Sequence, residues 1–378
     1  MIEPKATRYG AWRALLLIAL ACTTVMPSRS QSQPPAPRKS GTAPARKAWA
    51  PSKTSWGDPD IQGMWPGTDL LGVPLQRDSK LGIRAFLNDE EYAQREARAK
   101  QFSENVEREY DKPGERAAII GSPIWWLERG KPTRQASLIV EPADGRIPPL
   151  TQEAIKLGEA REAKFRLKYG VDRRIHGSND SWIDDVLALV VEPYESNLFD
   201  RCISRGVIGS ILPGEPGGYN LGNQIIQAPG VVLIRYEMIH EARVIPVDGR
   251  PHAGSSVRTY MGDPRGHWEG NTLVVETANF LGGRLGLLSN GAGPPYSDDL
   301  VLIERFTRVA EDTLNYEAVV NDPKTYTKSW KIVFPLHRDP SYQMVEYACH
   351  EGNYGLEDIV RGVYTEQTAA ERARKETK

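Results

Sequence analysis

The sequence predicts a mainly β protein with N-terminal α segments, whose antiparallel meander forms a barrel or a two-sheet sandwich. From residue 223 to residue 363, short runs of β-branched and aromatic residues alternate with turn residues, a pattern typical of sequential strands. The intervals between these runs are too short for the helical crossovers of a parallel sheet. About eight such strands suffice to close a small barrel, and a sandwich fits the same pattern.

The N-terminus, residues 1–30, has the form of a secretory signal. Lys5, Arg8 and Arg13 supply a basic region, and the mostly apolar run Ala14–Met26 follows it. That run is too short for a dedicated membrane-spanning helix, which needs about 20 apolar residues. The protein is therefore predicted to be exported, with no transmembrane segment after the signal is removed.

The end of this signal is open between two alternatives. Small side chains at Ser28 and Ser30 favour cleavage after Ser30, which would release the protein into the periplasm or the medium. The alternative is a lipoprotein signal in which Cys22 carries the lipid. Residues 31–55, rich in Pro, Ala, Ser, Lys and Arg, are predicted to be a disordered linker in either case.

The composition argues against two classes of partner. Of 378 residues, 48 are basic and 49 are acidic, so the charges nearly cancel. This balance gives no sign of a nucleic-acid-binding surface or a polybasic membrane patch. A small-molecule ligand is possible.

Between the linker and the meander, residues 56–222 are predicted to form an α-containing wrap. It begins with a turn and an edge strand in Trp56–Trp65, where Trp, Gly and Pro recur. A helix is predicted over Asn88–Tyr110, because Asn88 is a good N-cap and three acidic residues follow it. A second helix is predicted over Thr151–Gly170, with Gly170 as its C-cap. A charged helical tail is predicted at 364–378.

The meander is predicted from short β-rich runs and from the turn chemistry between them. The predicted strands are Gln224–Gln227, Val231–Met238, Ala242–Pro246, Ser256–Met261, Thr272–Phe280, Leu300–Val309, Thr313–Val320, Ser329–Pro335 and Gln343–Ala348. The predicted turns include Pro229-Gly230, Asp248-Gly249, Asp263-Pro264-Arg265-Gly266 and Gly270-Asn271.

The cysteines predict a disulfide. Cys22 is removed with the signal or lipidated, which leaves Cys202 and Cys349 in an oxidising compartment. A bridge between them would stabilise the fold by about 4–5 kcal/mol in the chain-entropy model. The alternative is two buried free thiols.

Such a bridge would create a candidate catalytic site near the end of the chain. His350 is then the predicted base and Glu351 its carboxylate partner, held in place by the neighbouring Cys349. Arg201 and Arg205 flank the other cysteine and are predicted to bind an anionic substrate group. The alternative is a purely structural clasp.

The strands offer further substrate-binding candidates. Glu237, Arg235 and His240 lie in one run, and a glutamate recurs on most strands, so this polar face could line a barrel interior. The alternative is a half-buried sheet whose polar face meets water. The Glu237-x-x-His240 spacing suits a helical metal site, whereas on a strand the two side chains point to opposite faces. No metal and no cofactor are predicted.

Several motifs together resemble a family of exported bacterial proteins of unknown function. They are PDIQGMW (Pro59–Trp65), GRIPPL (Gly145–Leu150), RCISRG (Arg201–Gly206), YEMIHEARVIPVDGRPH (Tyr236–His252), GHWEGNTLVVETANF (Gly266–Phe280) and EYACHEGNYGL (Glu346–Leu356). The resemblance covers nearly all of the mature chain. It implies export and a single architecture, and it implies no activity.

Three functions stay open from the sequence. The first is a cofactor-independent lyase, isomerase or hydrolase that uses His/Glu acid–base chemistry on a small organic molecule. The second is a non-catalytic periplasmic protein that binds a small molecule in a cavity. The third is a structural partner in the cell envelope, docked through its Trp-rich N-terminal segment.

Overall fold

Antiparallel strands dominate the computed structural model of the chain. It describes residues 49–68, 70, 72–110, 128, 130, 132–169, 198, 202–206, 208–212, 218–282, 287 and 294–351. They belong to the unit Ala48–Lys378 of the two into which the chain divides. The predicted signal and its cleavage site, most of the linker, the Gly170 cap, Arg201 and the charged tail lie outside the described residues.

Two antiparallel sheets are formed by the described strands, in the orders β1-β3-β4-β5 and β2-β10-β9-β8-β7-β6. In chain order the elements are Gly63–Met64 (β1), Asp89–Tyr110 (α1), Ile139–Glu141 (β2), Gln152–Tyr169 (α2), Asn223–Ala228 (β3), Val231–Tyr236 (β4), Ala242–Pro246 (β5), Asp263–Glu269 (β6), Thr272–Ala278 (β7), Val301–Arg308 (β8), Thr313–Asn321 (β9) and Trp330–His337 (β10).

The hairpins follow from local turn chemistry. Pro229-Gly230 joins β3 to β4 with Gly230 at φ +77°, and Gly270-Asn271 joins β6 to β7 with Gly270 at φ +59°. Positive φ strains residues that have a Cβ, so glycine stabilises both turns. These two predicted turns are confirmed.

The core lies between the two sheets. Inward-facing side chains alternate along β4 and along β8 to β10, and residues of both sheets belong to one buried cluster. Phe306, Tyr316 and Phe334 form a ladder across β8, β9 and β10, with successive ring centroids 5.1 and 5.0 Å apart. Such aromatic pairs add about 0.5–1.5 kcal/mol each beyond burial. The predicted mainly β class is confirmed, as a two-sheet sandwich.

A buried ion pair joins the sheets. Arg243 on β5 donates from Nη1 to Glu304 Oε1 (2.8 Å) and from Nη2 to Glu304 Oε2 (2.5 Å) on β8. The two side chains are 3 % and 0 % exposed. Tyr316 donates its hydroxyl to the same carboxylate at 2.9 Å, and Arg243 also donates to the Tyr236 and Thr277 hydroxyl oxygens. The pair is therefore well hydrogen-bonded, as a buried charge requires.

Two predicted strands are wrong. Ser256–Met261 contains only an isolated bridge between Thr259 and Phe280, because the Arg258 side chain hydrogen-bonds the Phe280 carbonyl oxygen and holds a loop there. Gln343–Ala348 pairs with no described strand, and its Val345 N–H donates instead to the Glu237 carboxylate.

One predicted turn is also wrong, and one strand was missed. Asp263-Pro264-Arg265-Gly266 begins the edge strand β6, where Pro264 faces Thr277. Proline is tolerated on an edge strand because its missing N–H need not pair. The short strand β2 pairs with β10 and lies in a stretch for which no strand was predicted.

The predicted start of α1 is confirmed. The Glu91 N–H donates to Asn88 Oδ1 at 2.8 Å, and the Asn88 N–H donates to Glu91 Oε2 at 2.9 Å. This reciprocal capping box satisfies two backbone donors that the helix itself cannot pair. Within the described residues, neither helix has the length and apolarity needed to cross a bilayer.

Breaking the buried ion pair from one side is expected to destabilise the fold strongly. Arg243→Met leaves the Glu304 carboxylate buried without its cation, which costs about 3–5 kcal/mol of unfolding free energy. Combining Arg243→Met with Glu304→Leu removes both charges and is expected to cost less. Urea unfolding measures both values.

The matched control is Arg305→Met, which removes an arginine at the position next to Glu304 on β8. Its partner Glu269 lies at the surface, with side chains 36 % and 48 % exposed. This change is expected to cost less than about 1 kcal/mol. An Arg243→Met variant as stable as this control would contradict the role of the buried pair.

Candidate functional site

The predicted disulfide is present. Cys202 and Cys349 are bonded across a sequence separation of 147 residues, with Cα atoms 5.6 Å apart. The bond fixes the segment Cys202–Gly206 to the C-terminal strap, defined here as Asp339–Glu351. Both segments meet at the end of the smaller sheet, beside the turn between β4 and β5.

That turn, Glu237–Glu241, is called here the acidic turn. It contains a short 3-10 segment, Met238–His240, in which Ile239 has φ +60° and His240 has φ +46°. The Tyr236 N–H donates to the Glu241 carbonyl oxygen at 2.8 Å and closes the turn. Two consecutive side-chain-bearing residues at positive φ are strained, and such strain must be held by surrounding contacts.

Glu237 supplies those contacts on one side. Its carboxylate is buried and accepts hydrogen bonds from Asn220 Nδ2 (3.0 Å), the Gly222 N–H (3.1 Å), the Val345 N–H (2.9 Å) and the Tyr342 hydroxyl (2.6 Å). At Gly222 a Cβ would lie 2.6 Å from Glu237 Oε2, so only glycine fits. Glu237 therefore anchors the strap to the sheet.

The Tyr342 hydroxyl bridges two carboxyl groups. Its oxygen lies 2.6 Å from Glu237 Oε2 and 2.5 Å from Glu128 Oε1. A phenol has one proton to donate, so two such short contacts require a proton on one of the carboxyl groups. Burial raises the pKa of Glu128, with the nearby charges of Glu237 and Asp339 acting in the same direction. Hydrogen bonds from the Tyr342 hydroxyl and the Leu221 backbone oppose this rise in the pKa of Glu128.

Glu241 forms the other side of the acidic turn. Its Oε2 accepts from the Ser204 hydroxyl at 3.2 Å, and the Arg205 backbone N–H also points to the carboxylate. Burial raises the pKa of Glu241 to about 7, although Ser204, Arg243 and the Arg205 N–H lower it. A carboxyl group with this pKa can both accept and donate a proton at neutral pH.

Arg205, whose backbone N–H points to this carboxylate, is itself buried, with 6 % of its surface exposed. Its Nε and Nη1 have no hydrogen-bond partner among the described residues. Burial lowers the pKa of Arg205 to about 10, so the guanidinium stays charged at neutral pH. The phenol groups of Tyr219 and Tyr347 act on it electrostatically and favour the charged form.

The two tyrosines form the outer part of the cluster. Their rings are nearly parallel, with an interplanar angle of 20° and centroids 6.5 Å apart. Both residues are half-buried, and His240 Nδ1 lies 3.1 Å from the Tyr347 carbonyl oxygen. The strap therefore lies over Arg205 through Tyr347, and the exposed His240 holds it there.

The structure brings some of the predicted site residues together. Arg205, Glu237 and His240 all belong to this cluster, while Arg201 lies outside the described residues. Arg235 lies on the outer face of β4, paired in register with Gln224 and Ala242, and so points away from the inward-facing Tyr236.

His350 and Glu351 are exposed, next to the disulfide. Neither side chain has a hydrogen bond to another described residue, although the Glu351 N–H donates to the Ala348 carbonyl oxygen at 3.0 Å. A general base needs an oriented ring, and the described contacts do not orient His350. The Glu241 carboxylate, by contrast, is oriented by the Ser204 hydroxyl and the Arg205 backbone N–H.

The strand glutamates do not line an interior cavity. Glu276 and Glu317 lie on the outer faces of β7 and β9, whereas Glu304 points inward and is paired with Arg243. The space between the sheets is filled by aliphatic and aromatic side chains. Of the two alternatives for the polar face, the described strands therefore fit the half-buried sheet whose polar face meets water, and not the polar-lined barrel interior. The candidate site lies at the end of the smaller sheet.

Sequence patterns gave little sign of several site residues. Glu241 lies in the same motif as Glu237 and His240, and Ser204 lies between Cys202 and Arg205. Their closeness in sequence to these predicted site residues was the only indication that Glu241 and Ser204 belong to the site. In the described part of the chain, no group of three or more His, Cys, Asp or Glu residues is arranged to hold a metal ion.

Comparisons with known proteins add no assignment. A scan against protein-family models, a search of curated proteins and a search of solved structures each found no match.

Removing the bridging hydroxyl is expected to loosen the strap. Tyr342→Phe leaves the Glu128 and Glu237 carboxyl groups without their shared partner, which costs about 1–3 kcal/mol of unfolding free energy at neutral pH. Tyr219→Phe is the matched control, since its hydroxyl has no hydrogen bond to a described residue, and it is expected to change stability by less than about 0.5 kcal/mol. Equal urea-unfolding values for the two variants would show that Tyr342 does not hold the strap.

Proposed function

We propose that this is an exported protein that acts on a small organic molecule at the cluster of the acidic turn, Cys202–Gly206 and the strap. Backbone strain carries the proposal. Among the described residues, Cys202, Asn220, Ile239, His240 and Asn279 are the non-glycine residues at positive φ. Cys202, Ile239 and His240 belong to this cluster, and Asn220 donates a hydrogen bond to Glu237 in it. Strained backbone conformations are often found at functional sites, where contacts with the surrounding structure hold them in place.

Acid–base catalysis without a cofactor is the proposed chemistry. The Glu241 carboxyl group exchanges a proton near pH 7, and the buried Ser204 hydroxyl fixes its orientation. A group with a pKa near the working pH is the most effective proton donor and acceptor. Proton transfer of this kind suits a lyase, an isomerase or a hydrolase, with Glu241 in the role first given to His350.

Export is part of the proposal and rests on two features. The N-terminus has the basic and apolar regions of a signal sequence, and the Cys202–Cys349 disulfide is of a kind that persists in oxidising compartments. The resemblance to exported bacterial proteins supports the same location, in the periplasm or outside the cell.

Binding without catalysis is the second candidate. It is favoured by Arg205, whose buried charge can attract a ligand without any proton transfer. A screen of small organic molecules separates the two functions. If catalysis is correct, Glu241→Gln abolishes turnover and leaves ligand affinity within about a few-fold, with kcat/KM of the wild type bending near pH 7. The catalytic proposal would be rejected if Glu241→Gln retained full turnover, or if the wild type turned over no molecule in the screen.

Glu241 is also expected to make stability depend on pH. Folding raises its pKa from 4.5 to about 7, so the folded state holds the proton more tightly than the unfolded state. Its favourable contribution is complete below the unfolded pKa and is lost as the pH rises through the folded one. Relative to Glu241→Gln, the wild type is expected to lose on the order of 2 kcal/mol between about pH 5 and pH 8.

Urea unfolding of both proteins at several pH values measures this difference. Glu90→Gln, at an exposed position in the first turn of α1, is the control for loss of a surface carboxylate. A constant difference between wild type and Glu241→Gln across this pH range would contradict the raised pKa.

A further inference from the structure

We propose that the ligand of this site is a small organic carboxylate with a single negative charge, whose carboxylate pairs with the Arg205 guanidinium. This inference rests on the proposed function, since it names the class of molecule that the same cluster takes. It is carried by the environment of Arg205 compared with that of the other buried arginines.

Four arginines are buried among the described residues: Arg77, Arg205, Arg243 and Arg308. Arg77 donates to the Ala143 carbonyl oxygen at 2.7 Å, and Arg308 donates to the Glu311 and Asp60 carbonyl oxygens at 2.5 and 3.1 Å. Arg243 has its ion pair with Glu304. The fold therefore provides at least one acceptor for each of these three side chains, although the Nε atoms of Arg77 and Arg243 have none among the described residues.

Arg205 differs from the other three. Within the described residues its side chain has no acceptor at Nε or Nη1, and no carboxylate lies within ion-pair distance of it. Leaving a buried charge unpaired costs several kcal/mol, so a fold that keeps one there is expected to compensate it in its working state. An anionic group is the natural partner for a guanidinium.

The surroundings limit the charge of that anion. Arg205 is the one buried cation of the cluster among the described residues, and Glu241 lies against its backbone N–H. A dianion such as phosphate would meet only one positive charge, whereas a monoanionic carboxylate is matched by one guanidinium. The half-buried rings of Tyr219 and Tyr347 lie on the outer side, where they can contact an organic body attached to the carboxylate.

The test compares matched pairs of acids and amides. The disulfide-intact mature protein is titrated by calorimetry with acetate, propionate, benzoate and larger organic acids, each beside its neutral amide, and with inorganic phosphate. At least one carboxylate is expected to bind about tenfold or more tightly than its amide and than phosphate. Amides that bind as well as acids, tighter binding of phosphate, or no carboxylate binding anywhere in the panel would overturn the proposal.

Variants at position 205 assign the effect to the guanidinium. Arg205→Met is expected to weaken binding of the carboxylate about 100-fold and to remove the preference for the carboxylate over its amide. Arg205→Lys is expected to retain part of that preference. Arg235→Met, on the outer face of β4, is the control and is expected to bind like the wild type. A preference that survives Arg205→Met would place the carboxylate elsewhere and contradict the inference.

Stability in the absence of ligand gives a second readout. If Arg205 has no structural partner, Arg205→Met is expected to melt no lower than the wild type in a buffer free of organic acids, and benzoate-type ligands raise the melting temperature of the wild type alone. An Arg205→Met variant that fails to fold would show that the guanidinium has a structural role, and that outcome rejects the proposal.

The two proposals fail in different ways. Turnover of neutral molecules that depends on Glu241, without carboxylate binding at Arg205, would reject the ligand class and leave the catalytic function standing. Carboxylate binding that depends on Arg205, without any turnover, would support the ligand class and reject catalysis.

Discussion

The ion pair between Arg243 and Glu304 is the contact on which both the sandwich and the candidate site depend. It joins β5 to β8 across the core through two hydrogen bonds, and the Tyr316 hydroxyl donates to the same carboxylate. Arg243 is also two residues beyond Glu241, so the same pair that locks the sheets fixes the end of the acidic turn. Its positive charge opposes the burial that raises the pKa of Glu241. Fold and chemistry therefore share one side chain.

Three buried or part-buried glutamates in this region have three different environments. Glu304 is paired with a guanidinium, and Glu237 accepts hydrogen bonds from four donors. Glu241 accepts from one hydroxyl and one backbone N–H and lies near the more distant charge of Arg243. Full pairing holds the first two in place as structural anchors. The incomplete compensation of Glu241 goes with its raised pKa, and on this difference we propose Glu241 rather than Glu237 or Glu304 as the reactive carboxyl group.

Local rules predicted much of the fold. The turn at Pro229-Gly230 and the N-cap at Asn88 each depend on a few neighbouring residues. The disulfide was predicted because two cysteines remain in a protein expected to be exported to an oxidising compartment. The division into two sheets was not predictable in the same way. The alternation of apolar and polar residues along a strand indicates which face of the strand is buried, but it does not indicate which sheet packs against that face. At β6, the Asp-Pro pair suggested a turn, whereas an edge position made proline acceptable.

The site was harder to predict than the fold. Cys202 and Cys349 located it, but the choice of His350 and Glu351 relied on sequence proximity to the bridge. The contact of Tyr342 with Glu128 spans 214 residues, and that of Ser204 with Glu241 spans 37, so no local pattern announces either of them. Whether a carboxyl group is reactive depends on its burial and partners, which only the folded chain shows.

The central claim is that the Glu241 carboxyl group, which lies against the Arg205 backbone N–H, exchanges a proton near neutral pH. Side-chain ¹³C NMR titration of the mature protein, with the Glu241 signal assigned by its loss in Glu241→Gln, measures that pKa directly. The account predicts a midpoint of about 7. A midpoint in the ordinary glutamate range, near about 4.3, would contradict it.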